Sequence, residues 1–236
     1  MNTPITMERF AEASLGLKAR IAGVFYLLTF LVAGISSLAG GGIAATANSI
    51  LVHQSLFRLG FAADLMVVAC YIAVTALFFE LFRPVNRSLS LLAAFFGLLG
   101  CAIQAFICFF HLAPFVVLGG APYLSAFNVD QLRALALMFL EFYGQGFSIA
   151  LVFFGFYCLL IGYLIFRSTF LPRFLGVLMA IAGLAWLTFL SPPLANYLSP
   201  YNLAVGALAE LSLTLWLLVM GVNIQRWKEQ ASAPRE

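Results

Sequence analysis

Charged side chains are scarce in this sequence. Lys, Arg, Asp and Glu account for 9% of the 236 residues, whereas 64% of the residues are hydrophobic. A soluble domain carries about 25% charged residues, because its surface must be hydrated. So low a content excludes an ordinary water-soluble domain and fits an exterior that contacts lipid. The net charge of +3 is also too small to indicate a nucleic-acid-binding protein.

Metal-binding and disulfide motifs are missing as well. The four cysteines stand singly within apolar stretches, without a CxxC pair or a zinc-type spacing. They are predicted to be buried free thiols, which pack as small hydrophobic groups. The two histidines have no accompanying ligand motif and form no triad with a serine. We therefore expect neither a metal ion nor a cofactor.

Six apolar runs are long enough to cross a membrane, which takes roughly 20 residues of helix. They cover residues 20–39, 56–82, 88–118, 134–166, 173–191 and 203–223, with short connections. The predicted fold is an all-α, polytopic transmembrane bundle of six helices. Its expected parts are a cytoplasmic or interfacial segment (1–19), the six-helix domain (20–223) and a cytoplasmic tail (224–236).

The distribution of basic residues predicts the orientation of the bundle. One set of helix ends carries ten Lys and Arg residues, and the other set carries only Arg58 and Arg133. Cytoplasmic ends of membrane helices are enriched in Lys and Arg. Both termini are therefore predicted to be cytoplasmic, with the loops near 40–55, 119–130 and 191–202 facing outward.

The first and fourth runs leave alternatives open. The first run resembles a signal peptide, and cleavage after Ala39 would leave five helices, but its length favours a retained helix. Residues 4–17 before it are either a short interfacial helix or a frayed tail. The fourth run, counted from its predicted N-cap at Asn128 or Asp130, exceeds the thickness of a membrane. It either extends into water or bends at Gly144 and Gly146.

Five blocks of sequence carry a family resemblance: RIAGVFYLLTF, SLFRLGFAADL, LFRPVNRSLSLLAAFF, LVFFGFYCLLIGYLIFRSTFLPRFLGVL and AELSLTLWLLVMGV. In this order they resemble the bacterial membrane family catalogued as domain of unknown function 4386, over about Arg20 to Val222. The resemblance implies a six-helix, multi-pass protein of the bacterial inner membrane whose first helix belongs to the fold. It implies no reaction, ligand or catalytic residue.

Polar residues recur at helical spacing on four of the predicted helices. Ionisable groups inside a membrane usually face the interior of the bundle. Asp64 and Glu210 lie at about the same distance from the outer ends of the second and sixth helices, so a shared depth is expected. The sequence thus predicts one polar pocket in the outer half, formed by Arg58, Asp64, Gln104, His111, Glu141, Gln145 and Glu210.

Arg58 and Asp64 are six positions apart, whereas ion pairs on one helix form at three or four. Arg58 is close enough to the outer surface to reach water, and is expected at the mouth of the pocket. Asp64 is deeper and needs partners on other helices, or a proton. Phe57 and Phe61 flank the approach to it.

Binding of a small or lipid-like molecule in this pocket, with transport as an extension, is the leading functional hypothesis. Few polar residues occur in the inner half, which weakens the extension to transport. A membrane enzyme is the first alternative, with Glu141 or Asp64 and His111 as an acid–base pair. A partner or sensor subunit without chemistry is the second, and a structural hydrogen-bond network is the third. The sequence determines neither the ligand nor the oligomeric state.

Overall fold

The computed structural model describes residues 3–36 and 53–233, and these form helices joined by short turns, with no strand among them. The α-helices of this part of the chain are α1 (Thr3–Ser36), α2 (Gln54–Phe82), α3 (Arg87–Leu118), α4 (Val129–Arg167), α5 (Arg173–Leu187), α6 (Pro192–Leu198), α7 (Tyr201–Val219) and α8 (Ile224–Ser232). A 3₁₀ turn, Thr188–Leu190, extends α5.

Six of these helices, α1 to α5 and α7, are long and apolar enough to cross a membrane. Apart from the start of α1 at Thr3, their bounds lie within about five residues of the predicted runs, which confirms the all-α polytopic bundle. Inside a bilayer the backbone must satisfy its own hydrogen bonds, and a helix does so within one segment. The protein is a multi-pass membrane protein.

The structure shows helices in both of the segments that flank the predicted six-helix domain. α1 begins at Thr3 and continues to Ser36, so residues 4–17 belong to the first long helix. The last span ends at Val219, and Gly221 then adopts φ +68°, a conformation that glycine accepts without strain. The turn leads into α8, which forms most of the predicted tail. Ala39 and most of the predicted loop 40–55 lie outside the described residues.

α4 is a continuous helix of 39 residues. Its N-cap is Asn128. The side-chain oxygen of Asn128 accepts from the backbone N–H of Gln131, and the side-chain oxygen of Gln131 accepts from the backbone N–H of Asn128, both at 2.9 Å. This reciprocal capping box fixes the start of the helix. At 1.5 Å per residue α4 is about 58 Å long, so it extends beyond a hydrocarbon core of about 30 Å.

Each span packs most closely against two others. The contacts run from α1 to α2, α3, α4, α5 and α7 in turn, and α7 returns to α1. Large side chains such as Phe78, Leu164, Met179 and Leu213 are fully buried between the helices. The arrangement gives the bundle an interior that faces neither lipid nor water.

Four glycines bring α4 and α5 into close contact. A Cβ atom added to Gly162 would lie 2.7 Å from the carbonyl oxygen of Gly176, and one added to Gly155 would lie 3.0 Å from that of Gly183. The pairs are seven residues apart on both helices, so they repeat along one antiparallel seam. Small residues allow such an approach in membranes, where van der Waals packing holds helices together.

The basic end of the bundle is closed by α8. The Asn223 amide donates to the carbonyl of Phe170 (3.2 Å), and the Trp227 indole donates to the carbonyl of Leu81 (2.8 Å). The part of α1 around Gly16 lies at this end too, because a Cβ added to Gly16 would lie 3.3 Å from the Ile224 side chain of α8. The basic residues at this end are Lys18, Arg20, Arg83, Arg87, Arg167, Arg173, Arg226 and Lys228.

We expect this basic end to face the cytoplasm, because Lys and Arg are retained on that side during insertion. A phosphatase that is active only outside the cytoplasm should be inactive when fused after Glu236. The same enzyme inserted directly after Ser125, in the turn before α4 at the opposite end, should be active. Activity of the C-terminal fusion alone would contradict the orientation.

We also expect Gly162→Ala to destabilise the bundle by about 1–3 kcal/mol, because the new methyl group overlaps the backbone of α5. Gly144→Ala is the matched control, since a Cβ there meets no atom within 4 Å. It should be neutral or stabilising by up to about 1 kcal/mol, the usual gain from replacing a helical glycine. Thermal unfolding of the purified variants in detergent measures both, and equal effects would contradict the seam.

Candidate functional site

Asp64 is the centre of a buried polar cluster at the end opposite the basic one. It lies on α2 and is 5% exposed. Its Oδ2 atom accepts a hydrogen bond from the Tyr143 hydroxyl (2.8 Å) and lies 2.8 Å from Nδ1 of His111. Its Oδ1 atom accepts from the Ser36 hydroxyl. We call Ser36, Asp64, His111 and Tyr143, which come from four helices, the outer cluster.

His111 is held by one ring nitrogen and leaves the other unpaired. Nδ1 of His111 donates this hydrogen bond when Asp64 is ionised, because a carboxylate only accepts hydrogen bonds. The residue is 3% exposed, and its Nε2 atom has no hydrogen-bond partner among the described residues. In the neutral ring this Nε2 is an acceptor, and in the protonated ring it is a donor.

Aromatic rings surround the imidazole of His111. The ring centroids of Phe57 and Tyr143 lie 4.4 Å and 5.0 Å from it, and Phe61 lies at 6.4 Å. Phe115 packs edge-on against Phe57. The unpaired nitrogen therefore lies among apolar walls, where the attraction to a polar partner is strong.

Arg58 contacts this aromatic wall and forms no ion pair with Asp64. Its guanidinium lies over the ring of Phe115, 5.6 Å from the centroid, and the residue is exposed. The geometry is that of a cation–π contact. Arg58 thus places a positive charge at the edge of the outer cluster, two rings away from His111.

Glu210 forms a second, separate cluster. This residue of α7 is 5% exposed. The Tyr26 hydroxyl donates to its Oε2, and the Trp186 indole and the Cys158 thiol donate to its Oε1, the thiol at 3.6 Å. We call these four residues the midplane cluster. Tyr71 and Tyr157 pack beside it, and their buried hydroxyls have no partner among the described residues.

The two clusters differ in depth. Ser36 binds Asp64 and Tyr26 binds Glu210, and these two donors are ten residues apart on α1, about 15 Å along the axis. Glu210 is nine residues from the basic end of α7, about 14 Å, which is near the middle of a hydrocarbon core of about 30 Å. Asp64 is 18 residues from the basic end of α2, about 27 Å, near the opposite edge.

The prediction of one pocket at one depth is therefore wrong. It assumed that the outer ends of all helices lie at the same level. α2 has 29 residues and α7 has 19, which is a difference of about 15 Å. Because the two helices end together at the basic side, α7 begins deeper than α2, and Glu210 lies deeper than Asp64.

Glu141 and Gln145 do not join either cluster. Both are exposed, and the Gln145 amide donates to the Glu141 carboxylate at 2.9 Å on the outside of α4. Gln145 instead lines a groove of about 480 Å³ beside Phe189 and Asn196. Tyr143 is the residue of α4 that reaches Asp64. It is two positions from Glu141, so it lies on the opposite face of the helix.

Gln104 lies between the two levels. It is buried on α3, seven residues before His111. Its carbonyl accepts from the Cys108 thiol, and its side chain makes no hydrogen bond to either carboxyl group among the described residues. The four cysteines are free and buried, as predicted. No group of three metal-ligating side chains occurs in the described ranges 3–36 and 53–233.

Five partners were missed by sequence reasoning: Ser36, Tyr143, Tyr26, Trp186 and Cys158. A search for charged and amide groups passes over tyrosine, serine, tryptophan and cysteine, because these residues also occur in ordinary apolar packing. Tyr143 and Tyr157 are 14 residues apart on α4, which places them on one helix face. That spacing is the signal that could have identified the inward face of α4.

Comparison with known sequences agrees with this architecture. The sequence model described as "Domain of unknown function (DUF4386)" matches residues 21–221, a range that contains both clusters. The chain belongs to the DUF4386 family. An uncharacterized protein of Archaeoglobus fulgidus is 24% identical to this DUF4386 member over 172 residues, which are 72% of this chain and 86% of the relative. No solved structure gives a significant match.

In this DUF4386 member, Glu210→Ala is expected to destabilise the fold by about 1–3 kcal/mol, because buried donors of Tyr26 and Trp186 lose their acceptor. Glu210→Gln keeps one acceptor oxygen and should cost less. The control is Glu141→Ala on the surface, expected within about 0.5 kcal/mol of the parent protein. Thermal unfolding in detergent is the measurement, and equal melting temperatures for Glu210→Ala and the control would contradict the midplane cluster.

Proposed function

We propose that this protein lies in the bacterial cytoplasmic (inner) membrane and binds a small or lipid-like molecule at the outer cluster. Apolar helical spans with a basic end are typical of proteins of that membrane. In this orientation the outer cluster lies near the outer surface of the bilayer. A ligand could approach it from the outer leaflet or from the water beyond.

The unpaired Nε2 atom of His111 carries this proposal. A buried polar atom without a hydrogen-bond partner costs about 1–3 kcal/mol, and native proteins rarely retain one without a use. Asp64 accepts hydrogen bonds from Ser36 and Tyr143, which hold its carboxyl group in place. Its contact with Nδ1 then fixes the orientation of the His111 imidazole. This support is typical of a site that is organised before its ligand arrives.

The surroundings of His111 indicate the chemistry of the ligand. Phe57 and Phe61 offer apolar surface, and Arg58 offers a positive charge at the edge. A molecule with a hydrogen-bonding group and an apolar body fits these contacts. A hydroxyl or amide group would bind Nε2, and the apolar body would contact the two phenylalanines.

Packing in the basic half favours binding over passage. Phe78, Phe82, Leu164, Ile165 and Leu217 are buried there to 1% exposure or less. Among the described residues, no buried Asp, Glu, His, Lys or Arg side chain lies between the midplane cluster and the basic end. A polar molecule bound at His111 would meet this apolar layer, so transport requires a second conformation.

An acid–base enzyme is the second candidate, and the 2.8 Å contact between Asp64 and His111 favours it. A histidine oriented by a carboxylate through one nitrogen can take or give a proton at the other. The alternative pairing of His111 with Glu141 has no support, because Glu141 lies on the surface.

The proposal predicts that ligand retention depends on His111 and Asp64. Protein purified in mild detergent should carry an enriched small molecule or lipid, detected by mass spectrometry of its extract. His111→Phe and Asp64→Asn should lose most of this enrichment while remaining folded. Gln145→Ala, a polar residue of α4 on the outside of the bundle, is the matched control and should retain it.

The same extracts distinguish the two candidates. Binding alone leaves the enriched molecule unchanged on incubation with purified protein, whereas an enzyme converts it and Asp64→Asn does not. Equal retention by the parent protein, His111→Phe and Asp64→Asn would contradict both. A change confined to thermal stability would assign the outer cluster a structural role.

A further inference from the structure

A second binding site is suggested by a groove at the basic end of the bundle. It has a volume of about 260 Å³ and lies between α1, α2 and α8. The outer cluster is at the opposite end, so the groove is independent of the proposed function. Its main lining residues are Leu15, Lys18, Ala22, Leu77, Glu80 and Arg83, with Trp227 and Lys228 from α8.

The base of the groove is apolar and is shaped by small side chains. Ala19 and Ala22 on α1 are each 1% exposed, and the groove passes over both of them. Leu77 on α2 forms a side of the groove. Because alanine is small, it leaves space between two helices, and a larger residue would fill that space. An apolar channel of this kind suits an alkyl chain.

The mouth of the groove is positively charged. Lys18 and Arg83 contribute two positive charges and Glu80 one negative charge, and Lys228 also lines the groove. Lys18 and Arg83 share Glu80 at 3.8 Å each, and the side chains are about half exposed. Such long, exposed ion pairs are weak, so Lys18 and Arg83 can bind an additional anion.

The indole of Trp227 fixes the remaining wall. Its Nε1 atom donates to the carbonyl of Leu81 at the end of α2, which connects α8 to the groove. Tryptophan is enriched at the level of lipid headgroups. The charged mouth therefore lies at the height where phosphate groups of the membrane lie.

We propose that the groove binds an anionic phospholipid of the cytoplasmic leaflet. The phosphate interacts with Lys18 and Arg83, and one acyl chain lies over Ala22 along Leu77. A guanidinium group pairs well with phosphate oxygens, and basic clefts between membrane helices on the cytoplasmic side suit anionic headgroups. Charge complementarity with that leaflet selects a lipid as the occupant.

The test uses the full-length protein in phosphatidylcholine nanodiscs with or without phosphatidylglycerol. Native mass spectrometry after release counts bound phosphatidylglycerol, and thermal unfolding measures stabilisation. The parent protein should bind phosphatidylglycerol and melt at a higher temperature with it. Lys18→Ala combined with Arg83→Ala should weaken binding about thirtyfold, the effect of two lost phosphate contacts.

Arg87→Ala combined with Arg167→Ala is the matched control, because both residues are exposed at the same end and neither lines the groove. It should bind as the parent does. An equal loss in the control would mean a general attraction to the surface and would overturn the proposal. Leu77→Trp keeps all charges and fills the groove, so it should also displace the lipid.

Soluble glycerol phosphate separates a lipid site from a simple anion site. It lacks the acyl chains and should compete poorly with phosphatidylglycerol. Competition at similar concentrations, or unchanged lipid binding by Leu77→Trp, would overturn the part of the proposal that places a chain in the groove.

Discussion

Two buried carboxyl groups must find hydrogen-bond donors inside an apolar bundle, and this requirement links the helices. Charges inside a membrane are costly unless other groups compensate them. α1 contributes to both groups, through Ser36 to Asp64 and through Tyr26 to Glu210. The first helix therefore couples the two levels of the bundle.

The unequal lengths of the helices give the two groups different surroundings. Glu210 lies near the middle of the bilayer, enclosed by Tyr26, Cys158 and Trp186, and its donors occupy both carboxyl oxygens. Asp64 lies near the outer edge and is hydrogen-bonded to Nδ1 of His111. The second ring nitrogen of His111, Nε2, has no partner among the described residues. The carboxyl group of Glu210 thus has donors on both oxygens, whereas the outer cluster offers a bond to a guest at Nε2 of His111. We therefore assign the proposed function to the outer cluster.

The opposite end of the bundle is organised by charge. Basic residues surround an apolar groove between α1, α2 and α8, and Trp227 ties α8 to α2. A bound anionic lipid there would hold the helix ends together. The outer cluster and this groove lie about a membrane thickness apart, so each can be altered without touching the other.

Composition and hydropathy alone determined the membrane class, the six spans and the basic end, because each depends only on the length and polarity of local segments. The depth and rotation of each helix depend on contacts between helices. Close packing of Gly155 and Gly162 against α5 accompanies an orientation of α4 that turns Tyr143 inward and Glu141 outward. A residue count from the outer ends placed Asp64 and Glu210 at one level, because a sequence does not show where neighbouring helices begin relative to each other. Only the tertiary structure decided which polar residues meet.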